Sequence, residues 1–501
     1  MASDLIITQK DEVYAKVQCE RHIAMELSEY FTFFVPGHQF VPAFRNRIWD
    51  GKIRLFNRQS NEIYLGLIEY LKEFCDERGY SFEYENIEDE FSVYQAEKFF
   101  SSLNLHSSDK PITVNDHQKD AFIDAMQSRR RLLISPTASG KSLIIYLIFR
   151  QLLDYQDLKG LIIVPTTSLV EQLYSDFCDY SSATDFEVER HVHRIYQGKE
   201  KHTGKKLVIS TWQSLYQMPP EYFQQFQYII GDEAHNFKAQ SLTTIMTSCT
   251  KAKYRIGLTG TLDGTKTHKL VLEGLFGKAR QVITTKELID KNILSTFDIK
   301  CLILKHSADK CEESVDWTYQ EEMTYLINNP NRNRFIRNLC ISLERNTLVL
   351  FQMVEKHGKV LYEMIKEKAG NRKVFFIHGN VDTEDREKVR QIVEKENDAI
   401  IIASYGTFST GINIKNLHNI IFASPSKSRI RNLQSIGRGL RQSSGKDKAV
   451  LYDIADDLRH KKHMNFTLRH FVERVKIYTE EKFPFKIYNI GLKDDSKNSK
   501  T

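Results

Sequence analysis

The seven cysteines of this 501-residue chain, at positions 19, 75, 178, 249, 301, 311 and 340, include no CxxC pair and no regular spacing. Neither a zinc cluster nor a disulfide framework can be read from them, and a reducing cytosol is the simplest setting. The opening MASDLIITQKDEVYAK lacks the basic, then apolar, then small-residue order of a signal peptide. There is no run of about 18 apolar residues, so neither export nor a membrane-spanning helix is expected. Short-period repeats and low-complexity tracts are also missing, which excludes solenoids and arrays. Excess charge is small: a net +6 permits an anionic partner without demanding one. What remains is 41% hydrophobic and 27% charged, the profile of a folded globular protein. A prior of about 150 residues per domain suggests about three domains.

Residues 1 to 105 read as short strands and helices rich in aromatics, closing in the acidic stretch Glu83 to Glu90 and the polar SSLNLHSSDKP. From Arg131 the text changes to apolar runs of strand length alternating with helical segments, the signature of a parallel sheet covered on both faces. Expected strands are Arg131–Ser135, Gly160–Pro165, Lys206–Thr211, Tyr228–Asp232 and Tyr254–Thr259. The pattern restarts with Asn346–Gln352, Lys373–His378, Asp398–Ala403, Asn419–Ala423 and Ala449–Ile454. Between the two series, residues 297 to 345 read as a linker plus helix carrying the clustered Arg332, Arg334 and Arg337.

Directly after the first strand comes Ser135-Pro-Thr-Ala-Ser-Gly-Lys141-Ser142, followed by the apolar helical segment LIIYLIFRQLL. That is a P-loop in its required context, in which backbone N–H groups at a helix N-terminus cradle phosphates. Thr137, Ala138, Ser139, Gly140, Lys141 and Ser142 are the expected ATP-binding residues, with Lys141 adding a point charge and Ser142 a Mg²⁺ ligand. Ser135 and Ala138 stand where glycines are common in such loops. The strand Tyr228-Ile-Ile-Gly-Asp232 then delivers Asp232 and Glu233, followed by Ala-His235, to the carboxyl edge of the sheet, where ligands bind. Asp232 suits a Mg²⁺ ligand, and Glu233 a base that orients the attacking water.

The order of these blocks resembles the superfamily 2 helicases, and their wording resembles the UvsW-type recombination helicases of T-even phages. The resemblance covers nearly the whole chain. It implies that Gln118, in Asn115-Asp-His-Gln118, senses adenine. Val164-Pro-Thr166-Thr167 and Ile209-Ser-Thr211-Trp212 resemble motifs Ia and Ib, which imply backbone contacts to nucleic acid by Thr166, Thr211 and Trp212. Leu258-Thr259-Gly-Thr261 is similar to motif III, implying a coupling role for Thr259 and Thr261. Thr347 to Phe351 looks like motif IV and Ser404 to Asn413 like motif V, implying nucleic-acid contacts by Phe351, Thr407 and Thr410 and a nucleotide contact by Gly411. Gln434-Ser-Ile-Gly-Arg438-Gly-Leu-Arg441 resembles motif VI, so Gln434, Arg438 and Arg441 are expected in catalysis, the two arginines as fingers on the γ-phosphate. Three residues apart on a helix, those arginines point the same way.

The resemblance implies an α/β architecture of two tandem RecA-like parallel-sheet domains with a small α+β amino-terminal domain. Expected bounds are 1–105 for an accessory nucleic-acid-binding domain, 106–296 and 297–480 for the two RecA-like domains, and 481–501 for a polar tail. Phe44 to Phe56, with a turn at Asp50-Gly51, reads as a basic and aromatic hairpin whose wording resembles the amino-terminal domain of the same family. Read residue by residue, Trp49 and Phe56 suit a core equally well. Arg459 to Lys476 reads as a basic helix, suited either to duplex contact or to solvent.

The expected function is an ATP- and Mg²⁺-dependent DNA helicase acting on branched, single-stranded or duplex DNA. Its implied work is remodelling forks and Holliday junctions in recombination, repair and replication, with RNA–DNA hybrids of R-loops among its partners. No membrane partner is expected, a monomer is the default assembly, and the implied location is the host-cell cytoplasm. About 60 residues follow motif VI, too few for an added nuclease domain. Two other readings stay open from the residues: a duplex translocase that does not separate strands, and a nucleic-acid clamp that uses ATP as a switch.

Overall fold

A computed structural model describes residues 3–84, 91–237, 239–411, 414, 416–424, 428, 433, 435–437 and 448–492. The chain divides into two compact units, the first holding Met1–Ser135 and Ser139–Ile283, the second beginning its main run at Thr284.

In the first unit a seven-stranded sheet runs, from edge to edge, through Val192–Ile195, Leu207–Thr211, Gly160–Val164, Tyr228–Asp232, Tyr254–Thr259, Arg130–Ile134 and Ala279–Gln281. Every pairing in it is parallel. The central strands are apolar along their length because helices cover both faces. On one face the helix Lys141–Gln156 buries Leu143, Ile144, Tyr146, Leu147, Ile148 and Phe149. On the other, Phe276 and Phe237 fill the space beside Gly231 and Gly257, where a Cβ would stand within 3 Å of those rings.

The amino-terminal residues build a five-stranded sheet in the order Phe56–Asn57, Glu62–Tyr64, Tyr14–Cys19, Leu5–Gln9, Phe82–Tyr84. It belongs to the same compact unit as the first parallel sheet. Leu270 and Val271, on the helix Lys266–Phe276, are part of its hydrophobic core. Tyr70 Oη donates to the buried Glu273 at 2.7 Å, and the backbone of Glu273 and Gly274 comes so close to Gly66 that a Cβ there would clash. Arg130 ion-pairs with Glu12 and donates to its carbonyl at 2.9 Å.

The expected hairpin around Asp50-Gly51 is not formed. Lys52–Arg54 pairs instead with the more distant Thr32–Phe34, and the intervening residues carry two short helical turns, His38–Phe40 and Pro42–Arg45. Pro42 begins the second turn, and its fixed φ suits the first position of a helix. Phe56 is buried in the core, whereas Trp49 is half-buried and donates its indole N–H to Lys52 O at 3.0 Å.

The second unit holds another all-parallel seven-stranded sheet, ordered Val374–Ile377, Ile400–Ser404, Thr347–Phe351, Asn419–Phe422, Lys448–Asp457, Thr296–Lys305, Phe485–Gly491. Two expectations are corrected here, the linker and the tail. The stretch read as a linker opens with the ten-residue strand Thr296–Lys305, and the unit already starts with the capped helix Thr285–Asp290. Arg332 is fully buried, bonded through Nε to Asp456 at 2.9 and 3.0 Å and through Nη2 to Ala423 O at 2.8 Å. The supposed tail from 481 contains the edge strand Phe485–Gly491, and Leu492 N still bonds to Lys305 O at 3.1 Å.

Candidate nucleotide site and motor elements

The P-loop leaves the strand Arg130–Ile134 and enters the helix Lys141–Gln156 through Gly140, which sits in the left-handed region at φ +83°. That φ favours glycine, and a Cβ there would also lie 2.0 Å from Gln118 Nε2 and push that side chain aside. Ala138 also has positive φ, +68°, at a position where glycine would relieve the strain. Among the described residues the N-cap, Gly140, makes no side-chain cap bond, and a helix N-terminus of this kind suits an anion. That uncapped end and the close glycine fit a nucleotide phosphate. Ser135 Oγ and Ser139 Oγ lie 2.5 Å apart, and Lys141 Nζ donates to Ser135 O at 3.1 Å, tying the two ends of the loop. Thr137 is half-buried in the loop.

Behind the loop, His117 Nε2 lies 2.9 Å from Ser139 O, and Gln118 Nε2 donates to the same carbonyl at 3.1 Å. Gln118 Oε1 accepts from Asn115 N at 2.9 Å, closing a capping box. One bond at each end of the Gln118 amide fixes its orientation, and its second N–H and second oxygen lone pair are the groups an adenine contact would use. His117 was not singled out in the sequence; only its place beside Gln118 could have marked it.

Asp232 ends its strand with Oδ1 accepting from Glu233 N at 2.9 Å. Burial, reinforced by the neighbouring Glu233 charge and opposed by Lys141, pushes the Asp232 carboxyl up to about 6. A carboxylate held in so unfavourable a setting, close to a lysine, suits a cation. Glu233 adopts φ +50°, strained for a non-glycine residue and characteristic of a site where geometry matters more than backbone ease. His235 Nδ1 lies 3.0 Å from Thr259 Oγ1 and 3.4 Å from Glu233 Oε2. Since Thr259 Oγ1 donates to Thr261 O at 3.0 Å, it accepts from His235 Nδ1, so His235 is the donor that faces both the Glu233 carboxylate and Thr259. His235 is the member of this chain that had not been singled out for a role.

Three family models match this chain: the amino-terminal domain of the DNA helicase UvsW over residues 4–85, the res subunit of type III restriction enzymes over 111–264, and the helicase conserved carboxyl-terminal domain over 331–443. The ATP-dependent DNA helicase uvsW of Enterobacteria phage T4 is 32% identical over 505 positions, covering 98% of this chain and 100% of the relative. The chain belongs to the UvsW family of superfamily 2 helicases. The crystal structure of T4 UvsW superposes with a TM-score of 0.52 at 32% identity, over 98% of the helicase and 100% of the T4 chain. The type ISP restriction-modification enzyme LlaBIII bound to DNA matches with a TM-score of 0.57 over 78% of the helicase and 32% of its own length; at 18% identity it shares the fold.

The other motif residues of the helicase fall at the carboxyl ends of their strands. Thr166 caps the helix Thr167–Tyr180, its side chain accepting from Leu169 N at 3.4 Å. Thr211 is buried, with Oγ1 3.0 Å from Ser214 Oγ. Trp212 is half-buried against the core, edge-on to Tyr216, and lines with Asp232 a cavity of about 190 Å³. In the second unit, Thr407 is buried with Oγ1 2.8 Å from Ser404 Oγ. Phe351 is a correction: its ring is wholly buried, stacked on Phe376 at 5.6 Å and closed off by Gly358, so it serves the core and offers no surface to nucleic acid. Thr410 and Gly411 lie on the helix Tyr405–Gly411, but their surroundings are outside the described residues, as are Gln434, Arg438 and Arg441 altogether. Among the described residues, no helix is long and apolar enough to cross a membrane.

The expected basic helix after Arg459 is also revised. The helix begins only at Phe466, Arg459 is bonded to Asp457, and Arg474 is fully buried. These arginines serve the fold.

Proposed function

We propose that this helicase couples ATP hydrolysis to the unwinding and branch migration of forked, Holliday-junction and R-loop DNA, in recombination, repair and replication within the host-cell cytoplasm. The carrying observation is the continuous polar path from Asp232 and Glu233 through His235 to Thr259 and Thr261. A nucleotide switch without turnover has no use for a strained carboxylate wired to a second block.

In this reading Thr137, Ala138, Ser139 and Gly140 hold the phosphates through backbone N–H groups, and Lys141 leaves Ser135 O to meet phosphate charge. Gln118 meets the adenine with the remaining donor and acceptor capacity of its amide. Ser142 and Asp232 would hold Mg²⁺, which would supply positive charge against the phosphates. Glu233 orients water and takes its proton. Gln434, Arg438 and Arg441 complete the γ-phosphate contacts, with Gly411 beside the nucleotide. Thr166, Thr211, Trp212, Thr407 and Thr410 line the nucleic-acid path, where hydroxyls suit phosphate contacts that carry no base information. In this reading residues 1–105 act as an accessory nucleic-acid-binding module before the motor.

The test is steady-state ATP hydrolysis at fixed low salt, without nucleic acid and then with single-stranded DNA, duplex DNA, a four-way junction and RNA. Strongest stimulation by branched or single-stranded DNA, followed by strand displacement, is the expected result. Stimulation by duplex without strand displacement would point to a translocase, and no stimulation by any of them would overturn the motor reading.

A further inference from the structure

The helix Thr167–Tyr180 starts at the Thr166 cap and ends at a tyrosine whose hydroxyl lies 2.8 Å from Ser142 Oγ. Tyr180 is buried, its ring packed at 5.5 Å on Tyr146, a residue of the P-loop helix. A tyrosine hydroxyl can both donate and accept. Asp179, on the same helix, accepts from Ser108 N at 2.9 and 3.1 Å.

A serine that ligates a cation through its oxygen keeps its proton and has to place it on an acceptor. Groups that take this role orient the ligand and tune the metal site. Tyr180 Oη stands where that acceptor is needed. We propose that Tyr180 is a positioning residue for Ser142: it accepts the serine proton, aims the serine lone pairs at Mg²⁺, and links the metal ligand to the helix capped at motif Ia. Nucleic acid engaging Thr166 then bears on the metal ligand through a single rigid element. This inference rests on the reading of Ser142 as a Mg²⁺ ligand.

The test titrates Mg²⁺ into the full-length protein with a fluorescent ATP analogue, with and without single-stranded DNA. Tyr180→Phe keeps the ring that packs on Tyr146, and thermal melting checks its fold. The expected result is that Y180F raises the Mg²⁺ concentration for half-maximal binding by about tenfold, the lower end of what losing such a partner costs. Binding without Mg²⁺ and the melting temperature stay unchanged, and the shift that DNA causes in the parent protein disappears. In a Ser142→Ala background, Y180F adds nothing. An unchanged Mg²⁺ midpoint in Y180F, or an equal shift in the S142A background, overturns the proposal for Tyr180. An unchanged midpoint in S142A alone overturns the ligand reading beneath it.

Discussion

Arg474 grips Asp453 through Nε at 2.8 Å and Nη2 at 2.8 Å, with both side chains fully removed from solvent. Tyr478 Oη donates to the same carboxylate at 2.8 Å, so the helix Phe466–Glu480 is fastened to the strand Lys448–Asp457. Removing one partner leaves a buried charge alone. Arg474→Ala is therefore expected to lower stability by about 3–5 kcal/mol in urea unfolding, and Asp453→Leu/Arg474→Met to recover most of it. A loss of DNA affinity with unchanged stability would show that Arg474 faces nucleic acid after all.

The raised Asp232 carboxyl has a definite sign. With a folded value of about 6 against an ordinary 3.8, the folded protein binds the proton more tightly, and this group's contribution to stability falls as pH rises through that interval. Asp232→Asn removes the penalty, so the nucleotide-free variant should be more stable at pH 8 by about 1–3 kcal/mol. Its stability gain should shrink towards pH 4, and its ATP turnover should be lost. Equal stability of the two proteins at pH 8 would refute the buried, ionised carboxylate.

Thr259→Val keeps the shape of the side chain while breaking the bond from His235 and the bond to Thr261. ATP binding should persist. Stimulation of turnover by DNA should fall by about 5–150-fold, the usual range of a coupling free energy between sites, and strand displacement should fall with it. Full stimulation in T259V would show that this path carries no coupling.

Lys141→Ala and Glu233→Gln should abolish DNA-stimulated hydrolysis while leaving thermal melting intact. Arg438→Ala should retain ATP binding and lose turnover by about 10³–10⁵-fold, the contribution of an arginine finger. Normal turnover by any of these folded variants would reassign the site.

Much of this architecture was legible in the linear text. The five strands expected in each parallel sheet all form, because a strand buried on both faces must be apolar along its length and ends where a polar motif begins. The P-loop and the Asp232-Glu233 block were legible because their chemistry is local: a glycine, a lysine and a hydroxyl at a helix start, and two carboxylates at a strand end.

Other features depended on partners distant in the chain. Phe485–Gly491 is a mixed-polarity edge strand, exposed along most of its length, and only its parallel pairing with Thr296–Lys305 makes it a strand. Lys52–Arg54 chose Thr32–Phe34 over the nearer hairpin, a choice of register that local turn residues did not decide. Arg332 and Arg474 look like surface charge until Asp456 and Asp453 are brought opposite them, and Tyr180 gains a role only because folding carries it to Ser142. The sequence by itself determined the motor's family, its strand series and the chemistry of its nucleotide loop. Tertiary structure alone decided which charges are buried and which side chains meet, since burial and pairing depend on residues far apart in the chain.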